Sequence, residues 1–158
     1  MPGDATTTEE RPGDRAHGVT LLYLIKQVEL AIRQRLEEVA STQDLTALQY
    51  TALTVLERHP GMTSAELARS SFVRAQTMAE MVTYLLECGL VKRERDPGNR
   101  RQYLLSLSRK GQQVVDRLRH PVAAIEEEMV AGLDRSEVTV LRRHLVQCRT
   151  SLHEHPVH

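Results

Sequence analysis

Leucine, isoleucine and valine recur along this chain at spacings of three and four, and only one short region breaks that rhythm. Between Val19 and Val39 the apolar residues Leu21, Ile25, Val28, Ile32, Leu36 and Val39 form the stripe of an amphipathic helix. Leu22, Leu24 and Leu30 widen it, so this first helix has apolar surface for its own domain and for something else. Thr46 and Gln49 form a capping-box pattern, in which a hydroxyl accepts from the amide three residues on. They open a second helix with Leu48, Ala52, Leu53 and Leu56 inside, stopped by His59, Pro60 and Gly61. Thr63 and Glu66 repeat the box and predict a short third helix to about Ser70. A fourth helix runs from about Arg74 to Cys88, with Met78, Met81, Val82, Leu85 and Leu86 on its inner face. Gly89 follows where a left-handed cap residue belongs. A short helix, a tight turn and a second amphipathic helix have helix-turn-helix spacing.

The period then drops to two. Leu90 to Arg95 and Gln102 to Leu107 predict paired strands, joined by Asp96, Pro97, Gly98 and Asn99. Proline presets φ and glycine supplies a positive φ, which suits a type II turn. Helical spacing resumes after the cap residue Ser108, with Val114, Leu118, Val122, Ile125 and Met129. Its phase carries through Pro121, which predicts one kinked helix ending at Gly132. Asp134 and Glu137 open the last helix. Val138, Leu141, Leu145, Cys148 and Leu152 give it the narrow seam of helices that pair. The predicted fold class is mainly α: a winged helix-turn-helix with a small β-hairpin wing and helices at both chain ends.

Charge sharpens this picture. The 158 residues suffice for one domain with a real core. Lysine and arginine number 21, as do aspartate and glutamate, so nothing global points to a polyanion. The balance is uneven, however. Between Arg69 and Gly111 nine basic residues face four acidic ones. A local patch of that kind is an electrostatic footprint for nucleic acid.

Other chemistries are thinly represented. Cys88 and Cys148 have no CxxC spacing, so neither a disulfide framework nor a zinc knuckle is expected, and both read as small buried apolar residues. A reduced intracellular compartment fits them. The start, "MPGDATTTEERPGDRAHG", has no apolar run and reads as a disordered arm, not a signal peptide or membrane anchor. The histidines lack a helical pair with a carboxylate partner, so no metal site is expected. G-x-S-x-G, a glycine-rich phosphate loop and H-E-x-x-H are all missing. No enzyme activity and no cofactor are predicted.

The candidate site residues belong to the two elements that carry the charge. Arg74, Gln76 and Thr77 stand at the start of the fourth helix, the end that enters a major groove. Arginine can pair bidentately with guanine, and glutamine with adenine. Arg93, Arg95, Asn99, Arg100 and Arg101 flank the hairpin tip, where they can reach a minor groove or its phosphates. Thr63 and Ser64, at a helix start, suit phosphate through hydroxyl and backbone N–H. The predicted partner is double-stranded DNA. A winged-helix module that binds only protein is the competing reading, and the basic residues on both helix and hairpin favour DNA.

The segments "LTALQYTAL" (Leu45–Leu53) and Thr63–Gly111, followed by a long final helix pair, resemble the MarR family of transcriptional regulators. The resemblance spans about Val19 to Leu152 and is most specific from Leu85 to Gly111. It implies a cytoplasmic, homodimeric, ligand-responsive repressor. It implies a dimer built from the first, fifth and sixth helices, and a small aromatic or phenolic effector in a cleft that Tyr23, Lys26 and Tyr50 can face. The segments expected are an arm (1–18), a dimerisation helix (19–44), a DNA-binding lobe (45–107), dimerisation helices (108–152) and a frayed tail (153–158). One departure stands out. The family's wing carries an aspartate two residues before a key arginine, and here Asn99 precedes Arg101. Asparagine can accept a hydrogen bond but cannot form an ion pair, so Arg101 is expected to be held less rigidly.

Overall fold

Every helix of the described residues but the fourth starts at a side chain that caps it; the fourth starts at Arg74, which makes no side-chain cap bond. The computed structural model describes residues 19–154; the arm 1–18 and residues 155–158 of the expected tail lie outside the described residues. Six helices and two strands run in the order α1 (Leu21–Ser41), α2 (Ala47–Arg58), α3 (Ser64–Ser70), α4 (Ala75–Glu87), β1 (Val91–Arg95), β2 (Tyr103–Leu107), α5 (Arg109–Met129) and α6 (Arg135–Glu154). Thr46 and Gln49 close the capping box at α2, and Thr63 and Glu66 close the one at α3. Asp134 accepts from the Glu137 N–H at 2.9 Å while the Glu137 carboxylate accepts from the Asp134 N–H at 2.8 Å, fixing the entry to α6.

The apolar stripes meet where their spacing says they should. Ala52, Leu53 and Leu56 of α2, Leu67 of α3, Met78 and Leu85 of α4, Leu105 of β2 and Val115 and Leu118 of α5 form one buried cluster. β1 and β2 pair antiparallel, with Arg93 opposite Leu105 and Arg95 opposite Tyr103. Residues ahead of α3 add a partial third strand that the sequence pattern does not show. The Gly61 N–H donates to the Leu105 carbonyl at 2.8 Å, and the Leu105 N–H donates to the Met62 carbonyl at 2.7 Å. This ties the wing base to the start of α3.

Two local expectations change. Gly98 is not in the left-handed region; among the described glycines only Gly61 and Gly89 are. The expected turn does form, the Asn99 N–H reaching the Asp96 carbonyl at 3.2 Å, but the Asp96 side chain also takes the Gly98 N–H at 2.8 Å and no positive φ is used. A second turn follows it, with the Gln102 N–H on the Asn99 carbonyl at 2.8 Å. Gly132 does not end α5 either. The helix stops at Met129, where the Val130 N–H closes the last turn on Glu126. Pro121 lies inside a single α5, as its unbroken phase predicts, and its missing N–H leaves one backbone hydrogen bond of that helix unmade.

The ends of the chain are different. Leu21 and Leu22 of α1 are 76% and 77% exposed, and Leu152 of α6 is 73% exposed. No residue from Arg135 to Leu152 of α6 is buried, and Arg142 joins the helix to Glu126 of α5 at 2.9 Å. Cys148, expected in a buried seam, is exposed, while Val138 and Leu141 at the start of that seam are half-buried; Cys88 is half-buried.

One contact sets the wing's position. The Ser108 N–H donates to the Leu90 carbonyl at 3.0 Å, and its hydroxyl donates to the Gly89 carbonyl at 2.5 Å. The same hydroxyl accepts from the Gly111 N–H at 3.0 Å. Gly111 is buried, and a Cβ there would sit 2.0 Å from the Leu90 carbonyl oxygen. Backbone on both sides leaves little room to yield. Gly111→Ala is therefore expected to destabilise the fold by about 3 kcal/mol, the upper end of overpacking costs. Urea unfolding of the two proteins at matched concentration measures it.

Candidate nucleic-acid interface

The site is a concave face bounded by α3, α4 and the wing. Its floor is a cavity of about 390 Å³ lined by Thr63, Ser64, Ala79, Thr83, Arg93 and Tyr103, among others. Thr63, Ser64 and Arg93, far apart in sequence, thus share one surface. Arg74, Gln76 and Thr77 are exposed at the start of α4, and Arg95, Asn99, Arg100 and Arg101 are exposed on the wing.

Charge on this face is unneutralised. Arg33, Arg35, Arg119 and Arg142 in the body all pair with carboxylates. Among the described residues, Arg74, Arg93, Arg95, Arg100 and Arg101 have no ion-pair partner. The wing holds its cations by other means. The Arg93 and Arg95 guanidinium carbons lie 4.6 and 4.9 Å from the centre of the Tyr103 ring. Arg95 also donates to the Arg100 carbonyl at 2.5 Å. Asn99 accepts from the Arg101 backbone N–H at 3.2 Å, so it shapes the turn and leaves the Arg101 guanidinium unclamped.

Some expected contacts are already occupied within the chain. Thr63 donates to the Glu66 carboxylate from its N–H at 2.8 Å and from its hydroxyl at 2.9 Å. Those bonds hold the Glu66 carboxyl below its ordinary range, the backbone bond contributing most. Thr63 therefore has little left to offer a phosphate, and Ser64 is the freer of the two. Gln76 donates to Glu80 at 2.9 Å, one turn along α4. Sequence reasoning passed over Glu80 and Tyr103. Their signals were present: a carboxylate four residues after Gln76, and an aromatic directly across the strand pair from Arg95.

The candidate effector residues are more scattered. Tyr23 is 55% exposed on α1, and the Lys26 ammonium beside it bonds Glu29 at 2.9 Å. Tyr50 is buried in α2, and burial raises its phenol above the ordinary range. Its charged neighbours are Arg119, Glu57 and Arg58. Among the described residues, no group of three or more histidines, cysteines or carboxylates can hold a metal. None of the described helices is long and apolar enough to cross a membrane.

The comparisons with known proteins agree with this geometry. Residues 43–102 match the model of the MarR family. The transcriptional repressor Rv2887 of Mycobacterium tuberculosis is 28% identical over 130 residues, covering 82% of this chain and 94% of its own. Another relative, from Thauera aromatica, has only 64% of its length spanned. The repressor CouR, solved bound to a 23-mer DNA duplex, superposes with a TM-score of 0.75 at 25% identity, covering 90% of this chain and 99% of its own. PcaV of Streptomyces coelicolor, solved with its natural ligand, superposes at 0.71 and 25% identity, covering 84% and 93%.

Tyr103→Leu keeps every positive charge and removes the ring that positions two of them. DNA affinity is expected to fall about two- to fivefold, the worth of an exposed cation–π contact. The slope of log affinity against log salt should stay unchanged, because no phosphate contact loses its charge. Fluorescence anisotropy over a salt series measures both.

Proposed function

The chain belongs to the MarR family of DNA-binding transcriptional regulators, and from that premise we propose that it is a homodimeric repressor whose grip on DNA a small aromatic acid or phenol releases. Regulators of this family are not enzymes. The observation that carries the reading is the set of unpaired arginines on α4 and the wing, beside a helix start that exposes Gln76 and Thr77. In the proposed complex the start of α4 enters the major groove. Gln76 exchanges Glu80 for an adenine edge, Arg74 takes a guanine or a phosphate, and Thr77 contacts bases or backbone. Arg93, Arg95, Arg100 and Arg101 flank the minor groove, Asn99 shapes the tip, and Ser64 with Thr63 faces a phosphate.

Dimerisation follows from area that the chain cannot bury alone. The exposed leucines of α1 and the exposed apolar residues of α6 are surfaces contributed by the two ends of the chain, and a second copy covers both. Two copies then present two α4 helices to half-sites about 34 Å apart. PcaV supports a ligand in this architecture. In this chain Tyr23, Lys26 and Tyr50 are the residues proposed to meet it.

Selection of bound fragments from random DNA tests the reading, followed by competition with aromatic acids and phenols. A two-fold-symmetric site that is vacated by one of these compounds is the expected result; binding indifferent to sequence would refute it. On the selected site, Arg101→Ala should weaken binding to all sequences and reduce the salt slope by about 0.9. Gln76→Ala should cost about 1–3 kcal/mol on that site and far less on random DNA. Equal and negligible effects from both variants would exclude the proposed docking.

A further inference from the structure

Three helices in this chain end in the same backbone device, and one of them uses the wrong kind of residue for it. At the end of α4 the Leu90 N–H reaches the Leu85 carbonyl at 2.9 Å, and the Gly89 N–H reaches Leu86 at 3.0 Å. At the end of α1 the Leu45 N–H reaches Ala40 at 3.2 Å, and the Asp44 N–H reaches Ser41 at 3.1 Å. At the end of α3 the Val73 N–H reaches Ala68 at 3.0 Å, and the Phe72 N–H reaches Arg69 at 3.3 Å. Each is a Schellman ending, which needs one residue with positive φ. That residue is Gly89 at φ 71°, Asp44 at 56° and Phe72 at 57°. Glycine adopts this conformation freely and aspartate tolerates it, but a bulky aromatic is strained there.

Packing does not offset the strain. Phe72 is 81% exposed, the highest value among the large exposed apolar residues of the described chain. The apolar contact that normally accompanies this ending is made by Val73, which packs against the core. The neighbouring Ser71 hydroxyl is buried and has no partner among the described residues. Two consecutive residues of the helix-turn-helix corner thus sit unfavourably, for no benefit within the fold. Strain of this kind collects at functional positions.

The surroundings identify what the ring meets. Phe72 lies two residues before Arg74, the N-cap of α4, and four before Gln76. Arg69 and Arg74 on either side are exposed and have no ion-pair partner among the described residues. A cation-flanked aromatic suits a polyanion that also carries apolar groups. In a major groove the apolar group is the thymine methyl, which phenylalanine can contact. We propose that Phe72 is a specificity-determining residue that packs on a thymine methyl at the edge of each half-site, its left-handed backbone conformation kept to hold the ring out from the corner. The inference rests on the DNA-binding function proposed above.

The test uses the full chain and the DNA site selected for the wild-type protein. Phe72→Gly and Phe72→Asn suit the positive φ, so the thermal midpoint should stay or rise. Both variants should bind the selected site about fivefold more weakly or worse. The decisive measurement replaces each thymine of the half-site in turn with uracil, which removes only the methyl. One position should cost the wild type about threefold and cost Phe72→Gly nothing. The inference is overturned if both variants bind like the wild type, or if every uracil penalty is the same in wild type and variant. A wild type that selects no preferred site would instead bring down the proposed function, and this inference with it.

Discussion

The wing is useful only if it stands at a fixed angle to α4, and that angle depends on where Ser108 and Gly111 meet the Gly89–Leu90 peptide. Four backbone groups and one hydroxyl converge there, within 2.5 to 3.0 Å of their partners. The end of α4, the first residue before β1 and the start of α5 are thereby joined in a single corner. The side chain missing at Gly111 is what lets α5 approach so closely. A two-stranded hairpin is marginal in water on its own. Here its base is held by this corner on one side and by the Gly61 and Met62 bonds to Leu105 on the other. Its tip is left free of core contacts and carries the charge.

That division of labour explains how the cations are distributed. Three arginines in the body join helices through carboxylates: Arg35 to Glu128, Arg119 to Glu57 and Arg142 to Glu126. Arg93 and Arg95 of the wing are instead oriented by an aromatic ring and, for Arg95, a backbone carbonyl, neither of which cancels their charge. Exposed ion pairs contribute little to stability, so leaving the tip unpaired costs the fold little. It leaves the full field for phosphates, whose bound counterions are released when the cations arrive. Glu80 works differently: it gives Gln76 a partner in the free protein, so any base contact by Gln76 is an exchange of one hydrogen bond for another.

How much of this was legible in sequence depended on the range of the interaction. Both capping boxes, the helix-turn-helix spacing and the strand pairing were readable, because local side chains and hydrophobic period decide them. The turn at the wing tip was legible but its type was not, because Asp96 satisfies the Gly98 N–H by its own side chain and the turn forms without a positive φ. Gly132 misled for a similar reason: α5 ends through its own backbone three residues earlier. Gly111 gave no sign at all. A glycine near a helix start looks incidental until the Leu90 carbonyl is placed beside it. Nothing local marks Phe72 as left-handed: the tight turn before the fourth helix is readable, but not which of its residues takes a positive φ. The burial expected for Cys148 rested on a seam that is half-buried at its start, at Val138 and Leu141, and exposed at Cys148 itself.

The remaining question is how events at the chain ends can reach the wing, and α5 is the physical link. Its start forms the corner that fixes the wing. Its middle is tied to α2, where the Glu57 carboxylate accepts from Gln112 at 2.7 Å and from Arg119 at 2.6 Å. These bonds, Gln112 first, hold the Glu57 carboxyl below its ordinary range. Its far half carries Ile125 and Met129 against α1, beside the apolar surface that needs a second copy. Tyr50 is buried next to the Glu57–Arg119 pair. α5 runs through Pro121 as one helix, so the corner that fixes the wing and the Glu57 contact with α2 belong to the same element.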